Sequence, residues 1–265
     1  MKSLFVDSHT HLGKANRKAY SIQELETSMN QANIDISIVI ADRTSGKLAT
    51  NDYLATLSKN NSKIRVVADI SSKEFNDEGF QKIYNFLNHD FVGVKLYPGY
   101  ENFFPYDERI FPLYDLCTRL SKPVIFHTGV LQAGYTGLLK QLHPLNTDEV
   151  ATRFPKLKIV MAHSGNPWLF DCASVVAKNK NVYADISGYF NEFKTLSKKE
   201  IDLFIKNFTE IKIYMGKFEK FLFGTDWPLY SQKEYLEATL QLHLTKKEFE
   251  LLFFKNANNI FSLGL

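Results

Sequence analysis

The sequence predicts a (β/α)8 barrel, in which eight parallel strands alternate with helices around one closed sheet. Eight short apolar runs rich in β-branched residues recur along the 265 residues, and longer amphipathic stretches separate them. Each run is almost continuously apolar, as expected for strands covered on both faces. Eight such units in about 250 residues is the number that closes a barrel of this kind. An open doubly wound sheet is the alternative, and the number of units makes it the weaker one.

The predicted elements follow one another without a linker, repeat or low-complexity segment, so residues 1–265 are predicted to form one domain. Three helices begin at a capping box, in which a hydroxyl accepts from a backbone N–H and a Glu three positions later returns to the cap. These pairs are Ser21 with Glu24, Ser197 with Glu200 and Thr245 with Glu248, and Lys246–Phe261 is predicted as a closing helix. The predicted strands are Leu4–Asp7, Ser37–Ala41, Ile64–Ile70, Phe91–Leu96, Val124–His127, Ile159–His163, Val182–Ile186 and Phe221–Gly224.

The composition is that of an ordinary globular protein, with 45% hydrophobic and 23% charged residues. The net charge is only +3 and the lysines are dispersed along predicted helix faces, so no nucleic-acid partner is expected. Cys117 and Cys172 are the only cysteines, which indicates a reducing compartment without disulfides. The N-terminal apolar run is too short for a signal peptide, and no segment approaches the ~18 apolar residues that cross a bilayer. A cytoplasmic protein with no membrane partner is therefore expected.

Histidine and aspartate residues stand at the carboxyl ends of four predicted strands. The first strand ends in His9-Thr10-His11, and residues two apart on a strand face the same side. The fifth, sixth and eighth strands end at His127, His163 and Asp226. Active sites of such barrels lie at this end, and imidazole and carboxylate are the usual ligands of zinc and related metals. The joint pattern predicts a divalent-metal site.

The other three histidines have no such placement. His89 and His143 fall in predicted connecting segments and His243 in a predicted helix. A single histidine at a strand end is itself more often a hydrogen-bonded packing residue than a ligand. The metal interpretation therefore depends on the joint pattern of four strand ends, and these three residues are predicted to be structural or exposed.

The same segments resemble the amidohydrolase superfamily. Its motifs are similar to Asp7–His11, Lys95, Pro123–Gly129, Ala162–Gly165 and Leu222–Pro228, and the resemblance extends to the terminal segment Asn256–Phe261. The most similar branch is the amidohydrolase-related one, which contains aminocarboxymuconate-semialdehyde decarboxylase and several lactone and amide hydrolases. The resemblance implies that one divalent metal is held by His9, His11, His127 and Asp226.

The resemblance implies a metal-dependent hydrolase, in which a metal-activated water attacks a small carbonyl compound such as a lactone, ester or amide. Asp226 would accept the proton and pass it to the leaving group, and His163 would act as an acid/base or an electrostatic group. Zinc is the expected ion, and manganese, nickel and iron suit the same ligands. A non-oxidative decarboxylase on the same site is the alternative. A TatD-type nuclease, which has Glu where this chain has Lys95, and a non-catalytic metabolite-binding barrel are weaker alternatives.

Three further residues are predicted to bind the substrate. Lys95 lies in an apolar strand, where a lysine needs a partner. Its ammonium would bind a substrate carboxylate, become carboxylated to bridge two metals as in binuclear branches of the superfamily, or extend to the barrel rim; one metal is favoured. Arg43, after strand 2, would bind a carboxylate bidentately or lie in a surface loop. Tyr97 begins an aromatic loop that would cover an organic substrate or pack the loop. A small molecule is thus the expected partner, and a homodimer is left open.

Overall fold

Eight parallel strands form one sheet and occur in it in the same order as along the chain. The computed structural model describes residues 4–132 and 134–265. The strands of this sheet are β1 (Val6–Thr10), β2 (Ile36–Ile40), β3 (Ile64–Asp69), β4 (Phe91–Leu96), β5 (Val124–Phe126), β6 (Ile159–Met161), β7 (Val182–Asp185) and β8 (Phe221–Leu222). The predicted (β/α)8 barrel is confirmed, and each predicted strand overlaps an observed one.

The differences in strand bounds concern the residues that carry the motifs. Strand β1 extends through His9 to Thr10, because its backbone continues to pair with β2 although the side chains turn polar. By contrast, β5 and β6 end before His127 and His163, and β8 is only two residues long. Most of the predicted site residues therefore lie on the turns that leave the strands.

Most of the helices lie between the strands and cover the sheet from outside, and the last three follow β8. They are α1 (Ile22–Ala32), α2 (Asn51–Ser58), α3 (Asp77–Leu87), α4 (Phe111–Arg119), α5 (Leu145–Arg153), α6 (Leu169–Lys178), α7 (Lys198–Met215), α8 (Gln232–Thr239), α9 (Lys246–Glu250) and α10 (Asn256–Phe261). All three predicted capping boxes are present. The predicted closing helix is interrupted by one π-helical turn, Leu251–Lys255. None of the described helices is long and apolar enough to span a membrane.

His243 was predicted in a helix, and that prediction is wrong. Helix α8 ends at Thr239 and α9 begins at Lys246, so His243 lies in the connection between them. A Thr-x-x-Glu capping box restarts the helix at Thr245, and helical periodicity alone does not reveal this break. His243 is exposed, which agrees with the prediction that it is structural or exposed.

The buried apolar residues of the described chain form two clusters. The larger cluster lies between the sheet and the surrounding helices. The smaller one fills the barrel interior with strand residues such as Ile38, Val67 and Ile125, and it includes Ile260 and Phe261 of α10. Helix α10 thus packs against the barrel interior from one end. The carboxyl ends of the strands are left to form the site.

The barrel closes where β1 meets the segment that follows β8. The Ser8 amide donates to the Phe223 carbonyl over 2.9 Å, and Thr10 and Trp227 form a parallel bridge. Two further backbone bonds join this seam, from the Asp226 amide to the His9 carbonyl (2.8 Å) and from the His11 amide to the Trp227 carbonyl (2.7 Å). The closure of the barrel therefore brings residues from the two ends of the sequence together.

Candidate active site

A cavity of about 610 Å³ opens at the carboxyl ends of the strands. All eight residues that the sequence predicts for the site lie on its wall: His9, His11, Arg43, Lys95, Tyr97, His127, His163 and Asp226. Aromatic side chains form much of the rest of the wall, among them Tyr100, Tyr135, Phe193 and Tyr230. The cavity is large enough for a small organic molecule.

His9, His11 and Asp226 form a compact group at the seam of the barrel. Asp226 Oδ1 lies 3.6 Å from His9 Nε2 and 3.4 Å from His11 Nε2. Two donor atoms bound to one zinc ion at 2.0–2.1 Å with a tetrahedral angle are about 3.4 Å apart. The spacing of these three side chains therefore fits a shared divalent ion.

The hydrogen bonds on the far side of each ring determine which nitrogen faces the cavity. His11 Nδ1 lies 3.0 Å from the Ile40 carbonyl, which only accepts, so Nδ1 carries the proton and Nε2 has the lone pair. His9 Nδ1 lies 2.9 Å from a carboxylate oxygen of Asp185, with the same consequence for its Nε2. The lone pairs of both rings are thus directed towards Asp226, as metal ligands require.

The imidazoles of the site are held in their neutral form. Burial lowers the pKa of His11 to about 4, and burial together with the charge of Lys95 lowers the pKa of His127 to about 3. The same causes hold the pKa of His9 well below its usual value, and burial does so for His163. A neutral ring keeps a lone pair free, so the set is suited to a cation rather than to an anion.

Sharp turns after the strands direct two of these side chains into the cavity. His163 follows β6 and has a φ of 61°, and Asp226 follows β8 with a φ of 65°. Both values lie in the left-handed region, which non-glycine residues adopt at some energetic cost and which is common at functional sites. At β8 the turn is held from below by Asp7, whose carboxylate accepts from the Thr225 amide (3.0 Å) and the Thr225 hydroxyl (2.6 Å).

His127 lies next to this group, but it is not part of it. Its Nε2 is 3.0 Å from the Val130 carbonyl, and its Nδ1 is 3.2 Å from His163 Nε2. Among the described residues, the two compact sets of ligand atoms are His9 with His11 and Asp226, and His9 with His163 and Asp185. The predicted role of His127 as a fourth ligand therefore stays a prediction, and its Nδ1 lone pair is free for it.

Lys95 is fully buried, and its ammonium reaches the histidines. Its Nζ lies 3.4 Å from His9 Nε2 and 5.3 Å from the centre of the Tyr97 ring. Burial lowers the pKa of this ammonium, although the charges of Asp185 and Asp226 partly offset the effect. Within residues 4–132 and 134–265, no carboxylate forms an ion pair with Lys95. Lys95 is therefore a buried cation without an ion-paired carboxylate in the part of the chain that the structure describes.

Arg43 and Tyr97 are at the cavity, but other residues occupy their polar groups. The guanidinium of Arg43 donates from Nε to Asp69 (2.9 Å) and from Nη1 to Glu74 (2.6 Å). Burial lowers the pKa of Arg43, but these two carboxylates more than offset it and raise it overall. The Tyr97 hydroxyl donates to the Ala41 carbonyl over 2.9 Å. The substrate-binding roles of both residues stay predictions, and the paired guanidinium does not favour that of Arg43.

Comparison with known proteins identifies the family of this barrel. The profile of the family described as Amidohydrolase matches residues 6–263. The chain belongs to this amidohydrolase family. Membership makes it a metal-dependent enzyme, and the resemblance inferred from the strand-end motifs is confirmed. No curated protein matches the sequence.

Several solved structures have the same fold as this amidohydrolase. An uncharacterised TIM-barrel protein from Bordetella bronchiseptica is 20% identical over 98% of both chains, with a TM-score of 0.77. An amidohydrolase from Burkholderia multivorans with bound zinc is 16% identical over 98% of this chain and 99% of its own, with a TM-score of 0.71. A dihydroxybenzoic acid decarboxylase from Polaromonas sp. JS666 with bound manganese is 15% identical over 100% and 98%, with a TM-score of 0.73.

Two residues of the amidohydrolase site were not found from the sequence. Asp185 ends β7 and Ser187 follows it, both are 1% exposed, and both contact His9 and His163. The rule that selected the other strand ends also applies to strand 7, since the predicted strand Val182–Ile186 carries an Asp near its carboxyl end. The Asp of strand 7 was not counted among the strand-end ligands, although Asp226 at the end of strand 8 was.

Proposed function

We propose that this chain is a metal-dependent hydrolase acting on a small carbonyl compound such as a lactone, ester or amide. The observation that carries the proposal is the convergence of neutral imidazole lone pairs on one carboxylate oxygen, with Asp226 Oδ1 3.4 Å from His11 Nε2 and 3.6 Å from His9 Nε2. Membership of the amidohydrolase family and the zinc in a structure of the same fold support it.

His9 Nε2, His11 Nε2 and Asp226 Oδ1 would hold one divalent ion, with zinc as the expected metal, and His127 Nδ1 would complete the set. When bound, such an ion polarises a carbonyl oxygen and lowers the pKa of water to near neutrality. The chain itself must then supply the groups that move protons. A carboxylate on the wall of the cavity and an uncharged imidazole are suited to this work.

One carboxylate oxygen of Asp226 is placed for metal binding and the other for proton transfer. Its Oδ1 faces His9 and His11, while its Oδ2 lies 3.9 Å from His163 Nδ1. Burial raises the pKa of this carboxyl, which makes the carboxylate a stronger base. In the proposed reaction Oδ2 accepts the proton of the attacking water and returns it to the leaving group. His163, on the same wall, is an uncharged ring next to Asp226 and would act as a second acid/base in these proton transfers.

Elemental analysis of purified variants tests the metal site. Wild-type protein dialysed after exposure to zinc chloride is expected to hold close to one equivalent, and His11→Ala and Asp226→Asn much less. His89→Ala and His243→Ala are matched controls, because both of these histidines are exposed and neither is among the residues that line the cavity. Full retention of zinc in both site variants, or none in the wild type, would contradict the proposed ligands.

A second candidate function is a non-oxidative decarboxylase, and Lys95 is the observation that favours it. A fully buried ammonium next to the ligand atoms, without an ion-paired carboxylate among the described residues, would gain a partner from a substrate carboxylate. The manganese-containing decarboxylase of the same fold supports this candidate. A carboxylated Lys95 that bridges two ions is the remaining interpretation of this residue.

Product analysis separates the two functions. Zinc- and manganese-loaded protein would be incubated with a panel of lactones, esters and amides and with a panel of aromatic carboxylic acids. The hydrolase releases an acid from the first panel and no carbon dioxide, whereas the decarboxylase releases carbon dioxide from the second. Carbon-13 NMR after growth with labelled bicarbonate shows a carbamate signal if Lys95 is carboxylated, and Lys95→Met is its control.

A further inference from the structure

The end of strand β7 carries a buried pair, Asp185 and Ser187, that touches two of the site histidines. Neither residue is needed as a ligand or as a proton carrier in the function proposed above. Each is 1% exposed, so neither interacts with solvent. Burying a carboxylate in this way is costly unless each of its oxygens is well hydrogen-bonded. The partners of Asp185 therefore indicate its role.

The two carboxylate oxygens of Asp185 have different partners. Oδ1 accepts from the backbone amides of His163 (2.9 Å) and Ser187 (3.1 Å), and also from the Ser187 hydroxyl. Oδ2 lies 2.9 Å from His9 Nδ1. Because a carboxylate oxygen only accepts, the Ser187 hydroxyl hydrogen is used on Oδ1, and His9 Nδ1 must carry a proton.

The hydroxyl of Ser187 determines which nitrogen of a second ring, His163, carries the proton. Its oxygen lies 2.9 Å from His163 Nδ1. Since its only hydrogen is directed to Asp185, the oxygen must accept from His163, and the proton of that ring is on Nδ1. The lone pair of His163 is then on Nε2. The same carboxylate thus orients His9 directly and His163 through one hydroxyl.

We propose that Asp185 and Ser187 are positioning residues that hold His9 and His163 as Nδ1–H tautomers. Both Nε2 lone pairs are thereby available at the cavity. One independent contact agrees with this assignment. The ammonium of Lys95 only donates, and it lies 3.4 Å from His9 Nε2, which must be the acceptor. A second contact is made unfavourable by it: His163 Nε2 lies 3.2 Å from His127 Nδ1, which also carries a lone pair because His127 Nε2 donates to the Val130 carbonyl.

The contact between His163 Nε2 and His127 Nδ1 has an energetic cost in this arrangement. Two acceptor nitrogens 3.2 Å apart repel each other unless positive charge lies between or beside them. If His163 were free to take the other tautomer, it would simply donate to His127 and the repulsion would disappear. Asp185 and Ser187 prevent the change of tautomer, so both nitrogens keep a lone pair that can bind a cation.

The substitution Asp185→Asn replaces one acceptor oxygen by a donor NH2 group while it preserves the shape of the side chain. Two backbone amides point at Oδ1, so the amide oxygen of Asn takes that position and the NH2 group takes the place of Oδ2. That group donates to His9 Nδ1, which must then accept, and the ring proton moves to Nε2. The nitrogen proposed to bind the metal is thereby blocked.

Nitrogen-15 NMR of histidine-labelled, metal-free protein tests the tautomers, and zinc affinity by chelator competition tests their consequence. In the wild type we expect His9 and His163 as Nδ1–H tautomers. In Asp185→Asn we expect His9 to become Nε2–H and zinc affinity to fall about 10- to 100-fold. Asp69→Asn is the matched control, because Asp69 is 3% exposed at the end of β3 but binds Arg43 and no histidine.

Ser187→Ala tests the tautomer of His163 separately from that of His9. It removes the acceptor of His163 Nδ1 and also a 3.2 Å contact to His9 Nδ1, but it leaves the bond from His9 to Asp185, so only the tautomer of His163 should change. Ser187→Thr restores the hydroxyl and should restore them. Unchanged tautomers of both rings in Asp185→Asn and Ser187→Ala, or equal zinc affinity in Asp185→Asn and Asp69→Asn, would overturn the proposal.

The effect on zinc affinity depends on the proposed metal site, whereas the tautomers do not. If wild-type protein binds no zinc, the proposed function fails, and the NMR spectra of the metal-free variants still decide the roles of Asp185 and Ser187. If Asp185→Asn does not fold, Ser187→Ala with its Thr rescue still tests the link from Asp185 to His163. Each result therefore either supports or overturns the assignment.

Discussion

Replacing Gly188 by Ala tests how closely the position of His163 is controlled. Gly188 has a φ of +63°, and a Cβ atom built on it would lie 2.5 Å from His163 Nδ1. Ordinary contact begins near 3.4 Å, so the ring must move by about 0.9 Å. Such a movement breaks the 2.9 Å contact with Ser187. A misplacement of about 1 Å costs on the order of 100-fold in turnover.

Gly216 provides the matched control for this substitution. Its φ is +70°, and nothing lies within 4 Å of a Cβ atom built on it. Gly216→Ala should lose about 1–2 kcal/mol in the free energy of unfolding, because it forces a side chain into the left-handed region. Gly188→Ala should lose at least as much, because its Cβ atom also displaces a buried ring. Only Gly188→Ala should also lose turnover of the substrate found in the product panels and show changed His163 ring signals. Equal turnover and equal ring signals in the two variants would refute the reasoning.

Three further outcomes are expected. Zinc at about 100 times its dissociation constant should raise the free energy of unfolding by about 2.7 kcal/mol, as measured by urea titration, and His11→Ala should abolish the gain; an equal gain in the variant would contradict the ligand assignment. Without metal, the free energy of unfolding should fall as the pH is lowered from about 6.5 towards 4. The reason is that the unfolded imidazole takes up a proton that buried His11 and His127, whose pKa values are lowered, do not. Each such ring contributes up to about 1.4 kcal/mol per pH unit. His11→Gln should flatten that slope, and an unchanged slope would show that the ring is not neutral in the fold. Ser197→Ala should cost about 1 kcal/mol of stability through loss of the α7 cap, with zinc content unchanged; a change in zinc content would mean that the cap affects the site.

The fold and the general position of the site follow from local patterns. Apolar runs of strand length predict the strands, and the barrel architecture assigns the site to their carboxyl ends. His9 and His11 need only the twofold periodicity of β1 to face the same side. His163 and Asp226 need only their place at a strand end. For these residues the information is contained within a few neighbours in the sequence.

Pairing between distant residues could not be predicted in the same way. Arg43 suggested a carboxylate-binding residue, but the carboxylates that bind it are 26 and 31 residues further along the chain. Asp185 is 176 residues from His9, and only the closed barrel shows that they touch. Strand-end patterns identify which side chains reach the cavity. They do not identify which charges are already neutralised there.

The seam between β1 and the segment after β8 also sets the order of events during synthesis. Asp7 and Thr225 are 218 residues apart in the sequence and are joined by hydrogen bonds beneath the candidate ligands. At about 5–20 residues per second, a ribosome needs roughly 10–40 s to add the residues between them. Throughout that interval the nascent chain exposes His9 and His11 without Asp226. An unfinished chain therefore has an incomplete ligand set, and any ion that it binds early is held without the carboxylate of the finished site.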